Sequence, residues 1–269
     1  MILGGSAFFA RRNTVYRQKK IQPQPLLRIS AFTELNGYGH VTLYAHRGLS
    51  GTAPENTPEA IRAAGEAGFT NVQLDVAVSA DDGFVLFHDE TLERMTAEAG
   101  RLSFCSTELL RRTPLDNGAN IEEYGKLYIP TLREALGLCR TYGLRPVLNI
   151  RAMDLQRLTA LHTLLRGVGS YALCAADART LTAYRTLDAD CALQYRVGEI
   201  TEKDIRMAKE NGWLLVFDCT KNREEVVREA AGRTALCAET VNTRDTLAQM
   251  VRAGVTQIVT DCILPPVQK

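Results

Sequence analysis

Residues 43–96 read LYAHRGLSGTAPENTPEAIRAAGEAGFTNVQLDVAVSADDGFVLFHDETLERMT. An apolar run, Leu43–His46, comes first. A helical stretch follows at Thr57–Ala67, with Thr57 placed to cap it and Pro58 in its first turn. A second apolar run, Val72–Val76, comes next. Strand, helix of about ten residues, strand is the pattern of a right-handed β-α-β unit with parallel strands.

The same unit recurs through the rest of the chain. Strands are expected at Pro146–Ile150, Tyr171–Ala175, Cys191–Tyr195, Leu214–Asp218, Ala235–Glu239 and Gln257–Asp261. Helices are expected at Leu132–Tyr142, Asp154–Arg166, Ala178–Thr186, Glu202–Asn211, Arg223–Ala231 and Arg244–Ala253. Three of them end on a glycine that leads into a strand: Gly212, Gly232 and Gly254. Eight strands in this rhythm favour an α/β fold of the closed (β/α)8 TIM-barrel type over an open doubly wound sheet. No G-x-G-x-x-G follows the first strand, which weighs against a dinucleotide fold. One connection breaks the rhythm. Residues 77–130 carry a hairpin signal, Ala80–Gly83 then Phe84–Phe87, and a polar stretch at Asp116–Asn120. An insertion after the second barrel strand belongs on the C-terminal, catalytic face.

The chain of 269 residues suits one large domain, 41–269, preceded by a basic arm, 1–40. The arm holds six Lys/Arg and one acid, a balance of +5. The remaining 26 bases and 30 acids sum to −4, so the whole carries +1. Nothing in that charge calls for nucleic acid. The arm is expected to be solvated or to extend from the barrel bottom. Seven cysteines without a C-x-x-C pair read as buried, reduced thiols. No stretch reaches the ~20 apolar residues of a membrane span. Arg11 and Arg12 follow the apolar Ile2–Ala10 rather than precede it, the reverse of a signal peptide. The expected compartment is the cytoplasm.

Chemistry concentrates in the opening stretch. His46 and His88 close two apolar runs, and Arg47, Glu55, Asp75 and Asp89 lie near them in sequence. Histidine beside carboxylate at strand ends is the material of acid/base catalysis. Gln73 and Asp75, two apart on a strand, share one face. Glu55 serves either to cap the following helix or to orient Arg47. Asp218 and Glu239 end strands and are candidates for the barrel mouth. His40, His162 and Trp213 read as structural.

The order of His46-Arg47-Gly48, Pro54-Glu55-Asn56-Thr57, the strand holding Asp75, Asp82-Gly83, His88-Asp89, Thr91-Leu92, Ile129–Glu134, Thr240-Val241-Asn242 and Thr260-Asp261 resembles the glycerophosphodiester phosphodiesterase family over about residues 42–263. The resemblance implies a β/α barrel with an insertion after its second strand. It implies metal-assisted hydrolysis of a glycerophosphodiester to glycerol 3-phosphate and an alcohol, with His46 and His88 as general acid and base and Arg47 on the phosphate. It also implies a divalent ion, Mg or Ca, on a Glu-x-Asp pair and a further Glu, with a nearby Lys on the phosphate.

This sequence departs from that pattern at three places. The pair reads Gln73-Leu74-Asp75, and the third-strand segment reads Asn149-Ile150-Arg151-Ala152-Met153. Of the implied metal carboxylates only Asp75 remains, either as a remnant ligand or as a salt-bridge partner of Arg47 or Arg151. Mg²⁺ and Ca²⁺ bind mostly carboxylate oxygen, and Arg151 would bring a fixed cation to the ion's place. The expectation is therefore a small-molecule phosphodiester hydrolase with weak or absent metal binding, in which Arg151 faces phosphate. The alternative is an inactive barrel that binds a phosphorylated small molecule or acts as a structural or regulatory partner.

Overall fold

The computed structural model describes residues 19–29 and 41–266. Eight parallel strands form the barrel: β1 (Thr42–His46), β2 (Asn71–Val78), β3 (Arg145–Ile150), β4 (Ala172–Ala175), β5 (Ala192–Val197), β6 (Leu214–Asp218), β7 (Leu236–Glu239) and β8 (Gln257–Thr260). Each pairs with the next, and β8 pairs with β1, so the sheet closes. The helices α1 (Pro58–Glu66), α2 (Leu132–Thr141), α3 (Leu155–Leu165), α4 (Ala178–Arg185), α5 (Glu202–Asn211), α6 (Glu224–Ala231) and α7 (Arg244–Arg252) follow the first seven strands.

Local chemistry sets these boundaries. The Thr57 hydroxyl accepts from the Ala60 amide at the start of α1, with Pro58 in the first turn. Thr131 and Glu134 form a reciprocal capping box on α2, and Thr201 and Asp204 form another on α5. Gly212 ends α5 in the left-handed conformation that a side chain would resist.

The strands alternate in what they present to the two sides. Leu74, Leu148, Leu173, Leu215 and Ala238 face the helices and build the main core. Tyr44, Val147, Ala172, Cys174, Val216, Cys237 and Val259 build a separate apolar tier inside the barrel. That tier divides the barrel axis into a mouth and a base.

Between β2 and α2 the chain makes a long connection. Phe84–Leu86 pairs antiparallel to the end of β2. Val85, Phe87, Leu92, Met95, Leu110 and Ile129 give residues 77–130 a small core of their own. All seven cysteines are free and buried. His162 lies edge-on to the Tyr184 ring, and Trp213 is buried.

The arm differs from expectation in its described part. Residues 19–29 are neither solvated throughout nor confined to the barrel bottom. Leu27–Arg28 pairs parallel with Ile263–Leu264, and Gln24 donates its amide N–H to the Gly51 carbonyl at 2.8 Å. The Ile21 amide donates to Asn117 of the insertion at 2.9 Å. The segment lies beside the mouth because it finds strand partners and backbone acceptors there, a gain a solvated arm forgoes. Residues 1–18 and 30–40, His40 among them, lie outside the described residues. No helix of the described residues is long and apolar enough to cross a membrane.

Candidate active site

The turn after β1 places the first histidine and arginine. Arg47 adopts φ 56°, a left-handed conformation uncommon for a side-chain-bearing residue. Gly48 follows at φ 82°, and a Cβ there would meet Ala60 Cβ at 2.5 Å. The turn therefore needs glycine to lie against α1, and it aims His46 and Arg47 into the mouth.

His46 is held from several sides through one carboxylate. Its Nδ1 lies 2.7 Å from Asp261 Oδ1. Asp261 also accepts from Ser50 Oγ at 2.8 Å, Asn242 Nδ2 at 2.6 Å and Gln24 Nε2 at 3.2 Å. Burial alone would raise the Asp261 carboxyl. The hydrogen bond and charge of His46, with the donors Ser50 and Asn242, hold it well below the usual range. The fixed carboxylate sets the direction of the His46 ring.

Asp75 sits deeper, on the inner face of β2. Asn149 Nδ2 donates to its Oδ1 at 2.7 Å and Asn56 Nδ2 to its Oδ2 at 3.0 Å. Arg47 Nε lies 2.9 Å from the same Oδ2, off the line of a hydrogen bond, so this is a charge contact. Burial opposes ionisation, but Arg47 first, then the imidazoles of His88 and His46 and the Asn149 amide, lower the carboxyl to about 2. Both histidines are thus close enough for Asp75 to feel their charge. Of the partners foreseen for Asp75, Arg47 is the one the structure supplies.

Glu55 orients Arg47. Arg47 Nη1 donates to Glu55 Oε1 at 2.8 Å, and Arg94 donates to both Glu55 oxygens at 2.6 and 2.9 Å. Thr57, not Glu55, caps α1. Burial would raise the Glu55 carboxyl, yet the Arg94 hydrogen bond and the Arg47 charge leave it lowered. Arg94 also donates to Asp89, whose Oδ1 lies 2.9 Å from His88 Nδ1. One guanidinium therefore ties the two halves of the site together. Arg94 was not foreseen, and no local sequence signal marks it.

Arg151 extends over the hairpin. Its Nη2 donates to the His88 carbonyl at 2.6 Å, and Nη1 pairs with Glu90 at 2.9 Å. It does not pair with Asp75. Met153 packs against the main core. Gln73 turns to β7 and donates Nε2 to Glu239 Oε2 at 3.3 Å. Glu239 is the ion-pair partner of Arg196 on β5. Asp218 stays at the rim, where its side chain accepts from Thr220. A cavity of 600 Å³ opens between His88, Asp75, Asn149, Arg151, Asp177 and Arg196. His46 and Arg47 lie beside it rather than in its lining.

A cation site can be tested on these donors. Among the described residues no group of three or more His, Cys, Asp and Glu is placed to hold a metal ion. At the positions where the resemblance implies ligands stand one carboxylate already bonded on both oxygens, one amide bonded to Glu239 and one guanidinium. That set does not fit a hard divalent cation.

The mouth of this closed eight-stranded barrel carries two carboxylate-held histidines, His46 at the end of β1 and His88 after the hairpin strand Phe84–Leu86, with Arg47 beside the first. The model of the Glycerophosphoryl diester phosphodiesterase family matches residues 46–264, and the chain belongs to that family. Over 151 residues it is 35% identical to human Glycerophosphodiester phosphodiesterase 1, covering 56% of this chain and 44% of the human protein. A glycerophosphodiester phosphodiesterase of Bacillus altitudinis is 36% identical over 96 residues, covering 36% of this chain and 39% of the relative. The matches thus span under half the length of these curated relatives. Among solved structures, a phosphodiesterase from Oleispira antarctica in complex with the product sn-glycerol-3-phosphate superposes with a TM-score of 0.75 at 25% identity, covering 82% of this chain and 92% of that one. A glycerophosphodiester phosphodiesterase from Thermotoga maritima shares the fold, with a TM-score of 0.64 at 20% identity, 83% of this chain and 95% of that one.

Proposed function

We propose that this chain hydrolyses a glycerophosphodiester to glycerol 3-phosphate and an alcohol, using His46 and His88 as the proton-transfer pair without a tightly held divalent ion. The observation that carries this reading is the fixing of each imidazole by its own carboxylate, Asp261 and Asp89, around the Arg47–Asp75 contact. One imidazole takes the proton of the attacking water, and the other returns a proton to the departing alkoxide. Arg47, braced by Glu55, and Arg151, at the cavity wall, supply positive charge to the phosphate. The Oleispira relative's bound product is a small phosphorylated molecule of the kind this reading requires. Seven unpaired buried cysteines agree with a reducing compartment such as the cytoplasm.

A second reading is favoured by one observation, the replacement of implied metal carboxylates by Gln73 and Arg151. In that reading the mouth binds a phosphorylated small molecule and does not turn it over. Release of glycerol 3-phosphate from a panel of glycerophosphodiesters separates the two. Wild-type turnover, with a loss on the order of 10²–10⁴-fold in His46→Ala and in His88→Ala, supports hydrolysis. Binding of glycerol 3-phosphate without any turnover supports the second reading.

A further inference from the structure

The opposite end of the barrel holds a second polar cavity, of 460 Å³, below the apolar tier. Its lining has a one-sided chemistry. Arg145, at the start of β3, faces it with no carboxylate partner among the described residues. The Arg145 Nε–H is buried without an acceptor, and Nη2 donates only to the Tyr171 carbonyl at 3.3 Å. Gln194, on the inner face of β5, is 5% exposed, lines the cavity, and its side-chain amide has no hydrogen-bond partner among the described residues. Tyr44 donates its hydroxyl to Gln257 Oε1 at 2.6 Å, which uses the acceptor of that amide and leaves its NH₂ group over. Lys209 of α5 adds an ammonium at the rim that forms no ion pair among the described residues.

The free charged groups of this cavity, Arg145 and Lys209, are cations, and no Asp or Glu lines it. A buried N–H left without an acceptor, as at Arg145 Nε, is costly. Such groups in a folded protein call for a partner that accepts hydrogen bonds. Negative charge suits the place better than neutral oxygen, because Arg145 and Lys209 lack counter-charges among the described residues.

We propose that the barrel base is a binding site for a small oxyanion, a phosphate or carboxylate group carried by a small molecule, held by Arg145, Gln194, Gln257 and Lys209. The site is separate from the mouth, because the apolar tier of Val147, Cys174, Val216, Cys237 and Val259 lies between them. It does not depend on the reading of the mouth as a hydrolase.

The protein contains its own reporter. Trp213 is the single tryptophan of the chain, and it lines this cavity. Full-length protein is titrated with inorganic phosphate, and separately with acetate, against sodium chloride at matched ionic strength, and tryptophan emission is followed. The expected result is a saturable change with phosphate, acetate or both, and the stronger of the two names the preferred group. Arg145→Met and Gln194→Leu each weaken it about tenfold or more. Arg151→Met, at the mouth, leaves it unchanged. No saturable response in the wild type overturns the proposal. So does a response that survives both base substitutions, or one lost in Arg151→Met. If circular dichroism shows that Arg145→Met does not fold, the neutral exchange Gln194→Leu carries the test alone.

Discussion

The two flanks of the mouth are built to different tolerances. On the β8–β1 flank, His46 is 11% exposed in its side chain and Arg47 14%, and Asp261 collects four partners from three separate segments. On the hairpin flank, His88 is 35% exposed and Arg151 46%. The carboxylate partner of Arg151, Glu90, is more exposed still. A charge pair in low dielectric is worth far more than one in water, so the first flank fixes geometry and the second adjusts to what binds. Of the altered family positions, Arg151 lies on the exposed flank, whereas Gln73 is buried and turns to Glu239 of β7. The tight flank keeps every residue that the resemblance implies.

Predictions that break or sharpen this contrast run from large to small. Asp261→Asn should lower turnover about 10²-fold or more, because the His46 ring loses the charge that orients it. Asp89→Asn should cost less, since water can replace the lost partner at half-exposed His88. Equal losses in kcat/KM for the two variants would remove the contrast.

Acid sensitivity should track Asp75. Its carboxyl is held near 2 in the folded protein, against an ordinary value of 3.8. The unfolded chain therefore takes up a proton at this carboxyl before the native protein does. The stability it contributes is complete above about pH 4 and is lost as pH falls toward 2. Asp75→Asn should flatten that part of a stability–pH curve from denaturant melts. An unchanged slope between pH 4 and 2 would contradict the Arg47–Asp75 contact as a source of stability.

Gln73→Glu alone should destabilise the protein by about 1–3 kcal/mol in metal-free buffer, because the new carboxylate would face Glu239 in place of a donor. A neutral effect in denaturant melts would mean that residue 73 turns freely from Glu239. Arg151→Met should raise KM by about tenfold or less with kcat little changed, as suits a half-exposed phosphate contact. A collapse of kcat instead would place Arg151 among the groups that act only in the transition state.

Much of the fold was legible because barrel strands announce themselves locally. Six of the eight expected strands fall within one residue of their observed bounds, while β2 and β5 run two residues further, to Val78 and Val197. Gly212 and Gly232 stand just past the ends of α5 and α6, and Thr57 stands just before α1. Part of the site was equally local: His46-Arg47 and His88-Asp89 are neighbours in sequence. The rest joins residues that only the closed barrel brings together. Asp261 is 215 residues from His46, and Gln24 is 237 residues from Asp261. The Arg94 clamp on Glu55 spans 39 residues, most of a β-α-β unit. The Gln73–Glu239–Arg196 chain crosses the barrel mouth. Charge residues at such separations carry no periodic signal, so nothing in the sequence pairs them in advance. The arm escaped for a related reason: the acceptors that hold residues 21–24 belong to loops whose positions the barrel sets.

The central claim is that the histidine pair works without a tightly bound divalent ion. Its most direct test is titration calorimetry of chelator-treated protein with Mg²⁺ and Ca²⁺, run beside glycerophosphodiester turnover in chelator. The account predicts no tight ion uptake and His46-dependent turnover that persists in chelator. A tight ion whose binding is abolished by Asp75→Asn, with turnover that appears only after the ion is added, would contradict it.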